Sequence, residues 1–485
     1  MRARTKSCVV MVTGMALLTL AGCAGSGSSN STPPPTPAIH NEWTWMGGPN
    51  VPGQGGIYGT LGIPAANNIP GAREQAISWT DASGNFWLFG GSGNDSTIPF
   101  NGTNEHEADA YLNDLWEYSA GQWTWIGGSN LADQSGIYGT QGVPDNIPGP
   151  RSGSVRWIDA SGTLWLFGGQ TYIPTPPLTN LSSINHLNDL WKFSAGQWTS
   201  MGGSSTGEQS GIYGTQGTAA HGNIPGGRFH AMSWTDTSGN LWLFGGDALD
   251  SNGTKGDLND LWKYSAGQWA WMGGSNVGEQ PGIYGTQGTA SPGNVPGGRE
   301  QSFSWTDASG NFWLLGGNGY DSQGNYGFLS DLWEYSAGQW TWMNGSNLAN
   351  QPVVYGTQGT PAPGNTPGAR SNGVSWIDAS GSLWLFGGGG YASPDHFYYL
   401  TDVWKYSAGQ WTWVGGSNSV DQQGTYGTEG TPAASNLPGG RFHEVSWVDN
   451  SGDLWLFGGN TQDASPTLTS LGIKDDRSDL WKYQP

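Results

Sequence analysis

The chain has 485 residues, 83 of them Gly and 29 Trp, with only 11% charged residues and a formal net charge of −20. Abundant glycine and aromatic residues with little charge argue against a helical bundle or a disordered chain and point to short strands joined by tight turns. The acidic balance argues against nucleic acid, whose phosphates it would repel, and against docking on an anionic membrane by charge alone.

The first element is a targeting segment, residues 1–22. Arg2, Arg4 and Lys6 precede an apolar run over residues 9–20 that is too short to span a bilayer. Leu20-Ala21-Gly22-Cys23 follows and resembles the lipobox of bacterial lipoproteins. The resemblance implies that Cys23 becomes the acylated first residue of an envelope protein. Ala24 in the next position implies the outer membrane or a periplasm-facing site rather than the inner membrane. Residues 23–40 are rich in Ser, Gly and Pro and read as a tether. Cys8 and Cys23 are the only cysteines, so the remaining chain has no disulfide and no thiol nucleophile.

Residues 41–485 repeat six times. A strand ending in Trp (Trp79, Trp157, Trp234, Trp305, Trp376, Trp447) leads through an Asp/Ser/Gly turn to an apolar strand ending in Gly-Gly. A variable loop follows, then a strand opening on Asp114, Asp189, Asp260, Asp331, Asp402 or Asp479, then a strand of the type Gln122-Trp123-Thr124-Trp125. Four strands per repeat arranged around a centre predict an all-β propeller. The sixth repeat lacks its fourth strand, and Glu42-Trp43-Thr44-Trp45 at the other end supplies it. The prediction is therefore a six-bladed ring closed by the N-terminal strand, with no bare edge.

The Gly-Gly pairs, the aromatic residue of the third strand (Tyr118, Phe193, Tyr264, Tyr335, Tyr406, Tyr483) and the Trp after it resemble the kelch motif. Kelch repeats run about 50 residues. Here the last glycines of the pairs (Gly91, Gly169, Gly246, Gly317, Gly388, Gly459) lie further apart, and a segment such as Gly211-Ile212-Tyr213-Gly214-Thr215 accounts for much of the surplus. The galactose-oxidase-like copper oxidases share the kelch propeller, but their radical site needs a Cys that this propeller lacks.

Each first strand opens on an Arg: Arg73, Arg151, Arg228, Arg299, Arg370 or Arg441. The third-strand aspartates begin at the same end, so repeated Arg–Asp bridges are expected, as scaffold. The next two positions vary and recur every three repeats, as in a duplicated triplet. Glu74-Gln75 matches Glu300-Gln301, and Phe229-His230 matches Phe442-His443. Glu74, Gln75, His230, Glu300, Gln301 and His443 are the candidate ligand-binding residues, expected in two-fold arrangement at the mouth where the long loops lie. Polar lining of a water-filled channel is the alternative. No metal site is expected, because His230 and His443 fall in opposite repeats. The acidic loop over residues 104–109 could hold Ca²⁺ but lacks an EF-hand pattern. Tyr172, Tyr320, Tyr391, Phe100 and Phe397 are candidate stacking residues.

The expected function is a non-catalytic envelope module binding protein or glycan on its loop-rich face. The alternative is a sugar-modifying enzyme similar to the kelch mutarotases acting on sialic acid.

Overall fold

The computed structural model describes residues 41–97, 110–172, 184–393, 396–461 and 475–485. The chain divides into Met1–Ala38 and Ile39–Pro485, and all described residues belong to the second part. The targeting segment, Cys23, the tether, the acidic loop and Phe100 lie outside the described residues, as does the side chain of Tyr391.

The described chain is all-β and contains no helix. With the six repeats numbered as units 1 to 6 in chain order, unit 3 shows the common plan. Met232–Thr235, Leu241–Leu249, Lys255–Ser265 and Gln268–Gly273 pair antiparallel in that order. Continuous apolar runs such as Leu241-Trp242-Leu243-Phe244 send apolar side chains to both faces of each sheet. Glu42–Gly47 pairs with Leu480–Gln484, Trp43 opposite Tyr483, and so supplies the fourth strand of unit 6.

The core lies between the units. Six buried clusters each draw on two successive units, and one joins Leu88 and Trp116 of unit 1 to Trp447 and Phe457 of unit 6. The first strands also pack in sequence: Ile77–Thr80 touches both Val155–Ile158 and Val445–Val448.

At each Gly-Gly the chain makes a close approach. The first glycine is left-handed, and a Cβ on Gly316 would meet the carbonyl oxygens of Leu329 and Arg370 at 2.7 Å. The second glycine's N–H donates to the Arg carbonyl of the following unit, as from Gly169 to Arg228 and from Gly459 to Arg73.

All six arginines are buried and paired: Arg73–Asp114, Arg151–Asp189, Arg228–Asp260, Arg299–Asp331, Arg370–Asp402 and Arg441–Asp479, at 2.7–2.8 Å. Each Asp also accepts from the Trp two residues on and from a Tyr hydroxyl of the recurrent inter-unit segment, as from Trp262 and Tyr213 to Asp260. That segment has a second task. It returns to the outer strand of the unit it precedes, bridging Ala65 to Trp123 and Ala362 to Trp411, and so covers an edge.

Two features depart from the sequence reading. The first strand is in two pieces, as in Arg73–Glu74 and Ile77–Thr80, separated by a left-handed residue. The second strand is continuous in units 1, 3 and 4 but broken at Gly-Gly in units 2, 5 and 6, so units 1 and 4 agree, as do 2 and 5, while 3 and 6 differ.

Candidate functional site

The residue at each break in the first strand has positive φ: Gln75 (55°), Gly153 (61°), His230 (55°), Gln301 (59°), Asn372 (61°) and His443 (61°). Five of the six carry side chains, for which this backbone costs about 1–2 kcal/mol each. Hydrogen bonds offset the cost. Gly153 N–H donates to Gln75 O, His230 to Gly153, Gln301 to His230, Asn372 to Gln301, His443 to Asn372 and Gln75 to His443, at 2.8–3.1 Å. The series returns to its starting residue, and bonds so linked polarise one another.

This cycle draws the six candidate residues together. The His230 and His443 rings stack with centroids 5.4 Å apart and planes at 20°. Glu74 Oε2 lies 3.0 Å from His443 Nδ1, and Glu300 Oε2 lies 3.1 Å from His230 Nδ1. Each glutamate thus bonds the histidine of the preceding unit, giving two dyads in approximate two-fold relation. Gln301 Nε2 lies 2.8 Å from His230 Nδ1 and 3.2 Å from His443 Nε2, and Gln75 Nε2 lies 3.2 Å from His443 Nδ1. Each Nδ1 therefore faces a carboxylate that accepts and an amide that donates, so its protonation state selects the partner. Burial lowers the His443 pKa, opposed in part by Glu74. Gly153 is the one glycine of the cycle for a steric reason. A Cβ there would lie 2.7 Å from the His230 ring. Although the two imidazoles meet, no group of three or more metal-ligating side chains is gathered among the described residues.

Aromatic rings extend from the histidines. Phe229 packs on His230 and Phe442 on His443, with centroids 4.3 and 4.4 Å apart. Tyr399 and Phe397 continue from Phe442, and Phe328 continues from Phe397. Phe397 and Tyr326 are exposed at 39% and 54%. Tyr320 packs against Tyr326, and Tyr172 against Tyr111.

Carboxyl groups stand beside this wall. Asp247 and Asp257 face each other across paired strands. Burial and then Glu300 raise Asp247 to about 6. Burial, then Glu300 and Asp247, raise Asp257 to about 8. Near neutral pH the site therefore holds a protonated carboxyl at Asp257 beside an ionised one at Asp247, together with amides and imidazoles.

Sequence reasoning missed Asp247 and Asp257, and it left Asn372, Phe229 and Phe442 out of the candidate set although they occupy the same variable positions. A signal existed for one set. Three residues before each third-strand Asp, the units carry Tyr111, His186, Asp257, Phe328, Tyr399 and Asp476, a position as variable as those already chosen.

No protein-family model and no curated protein matches the chain. Among solved structures it is similar to YjhT, at 13% identity over 87% of this chain and 95% of that one, with TM-score 0.46. It is also similar to a fungal alcohol oxidase of the AA5 family in complex with copper, at 12% identity over 88% and 77%, TM-score 0.42. A third is a protein of unknown function from Dyadobacter fermentans, at 10% identity over 93% and 100%, TM-score 0.43. At these identities and scores no residue role or activity carries over.

Proposed function

We propose that residues 41–485 form a six-bladed kelch-type β-propeller whose loop-rich face binds glycans. Four observations support the ring: pairing of the N- and C-terminal strands, sequential packing of the first strands, clusters between successive units, and the returning series of hydrogen bonds. The glycan reading rests on one observation. Exposed aromatic faces, Tyr326 and Phe397, accompany carboxyl, amide and imidazole groups. Apolar faces of sugar rings pack on aromatic rings, while their hydroxyls need mixed donors and acceptors. A glycan array probed with the chain tests it. Binding that survives both Phe397→Ala and Tyr326→Ala refutes this placement, and an array without binding refutes the glycan class.

A second reading is favoured by the split between Asp257 and Asp247. A protonated carboxyl beside a more acidic one is an acid–base pair suited to opening and closing a sugar hemiacetal. This is the mutarotase alternative. Anomer exchange followed by NMR, lost in Glu300→Gln and Asp257→Asn, would favour it over simple binding.

The proposal extends to the cell envelope, with Cys23 acylated and the chain at the outer membrane or facing the periplasm. Its support is the residue pattern around Leu20-Ala21-Gly22-Cys23. Mass spectrometry of the native and Cys23→Ser chains tests it.

A further inference from the structure

An open cavity of about 510 Å³ is lined mainly by the first strands of units 2, 3 and 4. One end reaches His230, Gln301 and Asn372. The other reaches Ile158, Thr235 and Thr306, just before the turns, so the cavity lies beyond the hydrogen-bonded cycle from the variable loops.

Arg156 lines this cavity. The equivalent residue in the other units is serine: Ser78, Ser233, Ser304, Ser375 and Ser446. Ser78, Ser233 and Ser375 each donate to the backbone carbonyl of the preceding unit's equivalent residue. Arg156 breaks the pattern with a guanidinium. Every other described arginine has a carboxylate partner, the six of the repeated set and Arg477 with Asp475. Arg156 has none among the described residues.

Water reaches the Arg156 side chain inside the cavity, so it is exposed by area. It remains charged at neutral pH. A cation without a counter-charge that faces a walled cavity draws an anion to it, because low-dielectric walls focus its field. The planar fork of an arginine suits two oxygens at once, as in carboxylates and phosphoryl groups. The Ser304 and Thr306 hydroxyls line the same space, whose volume is in the range of small-molecule sites.

We propose that this cavity is a binding site for a small oxyanion, with the Arg156 guanidinium as its principal contact and Ser304 and Thr306 as further donors. The site lies across the hydrogen-bonded cycle from the glycan face, meets it at His230, Gln301 and Asn372, and does not depend on that reading. The net charge of −20 disfavours non-specific anion adsorption, so binding reports a built site.

Calorimetric titration of the full chain with inorganic phosphate and, separately, acetate at fixed ionic strength tests the proposal. One equivalent of at least one anion should bind and raise Tm. The preferred anion identifies the phosphoryl or carboxylate class. Arg156→Ser should weaken binding at least about tenfold. Its Tm in chloride should not fall, because serine is what the other five units carry. Arg156→Lys should bind more weakly than the native chain and more tightly than Arg156→Ser. Absence of binding by the native chain, or equal binding by Arg156→Ser, overturns the proposal.

Discussion

Asp260 is the residue whose loss most directly tests how a unit is tied internally and to the segment that precedes it. Its Oδ1 accepts from Arg228 Nη1 at 2.8 Å and its Oδ2 from Arg228 Nη2 at 2.9 Å. Oδ2 also accepts from Tyr213 Oη at 2.8 Å and Trp262 Nε1 at 2.7 Å. Asp260→Ala leaves a fully buried guanidinium without its counter-charge. Such a break costs about 3–5 kcal/mol. The stranded Tyr and Trp donors add to this, about 1–3 kcal/mol each and not additively. A loss of about 5 kcal/mol is expected. With roughly 0.9 kcal/mol/K of unfolding entropy for about 450 folded residues, Tm should fall by about 5 °C. The double variant Arg228→Met/Asp260→Leu removes both charges and should recover part of that loss. Scanning calorimetry reads both changes. A fall below about 1 °C for Asp260→Ala, or a double variant less stable than the single one, refutes the claim that the paired charges matter through mutual neutralisation.

Glu444 is buried, and neither carboxylate oxygen has a hydrogen-bond partner among the described residues. Burial raises its pKa from 4.5 to about 8. Between those values the folded chain holds a proton the unfolded chain lacks, so stability falls as pH rises from 4.5 to about 8 and then levels off. Glu444→Gln should remove this slope and exceed the native chain at pH 8.5 by on the order of 3 kcal/mol, with little difference at pH 4. Denaturant melts at the two pH values check it. Gly316→Ala meets two carbonyl oxygens as well as left-handed strain and should cost about 2–4 kcal/mol in a urea melt. Gly338→Ala has positive φ with nothing within 4 Å and should cost only about 1 kcal/mol.

The repeated parts were legible because repetition averages out local ambiguity. Six Asp-Leu-Trp-type openings and six Gly-Gly pairs announce strands and their order, and the single orphan strand at Glu42 announces its partner. The left-handed break at Gln75, His230 and their equivalents was not legible. Gln and His are not turn residues, and their conformation is set by a neighbouring unit's carbonyl. The partnership of Glu300 with His230 was hidden for a related reason. It depends on which way a side chain leans across the gap between units. The recurrent Tyr-containing segment was visible, but its bond to the buried Asp spans 47 residues from Tyr213 to Asp260. Arg156 and Glu444 were visible as well, each a lone departure from small residues at its repeat position. A search for what the repeats share passes over such departures.

The strand pairing in unit 6 has a consequence for the order of folding. Tyr483 Oη donates to Asn41 Oδ1 across 442 residues of sequence. Joining chain segments so far apart costs roughly 5 kcal/mol of loop entropy in an unfolded chain. Units 1 to 5 each contain their own four strands and can form from local hairpins. Unit 6 waits for the last strand to be made and for the first to be brought round to it. Residues 42–47 therefore act as a latch: they are synthesised before the other described strands and seated last. Until they are seated, the outer edge of Leu480–Gln484 remains open to another chain.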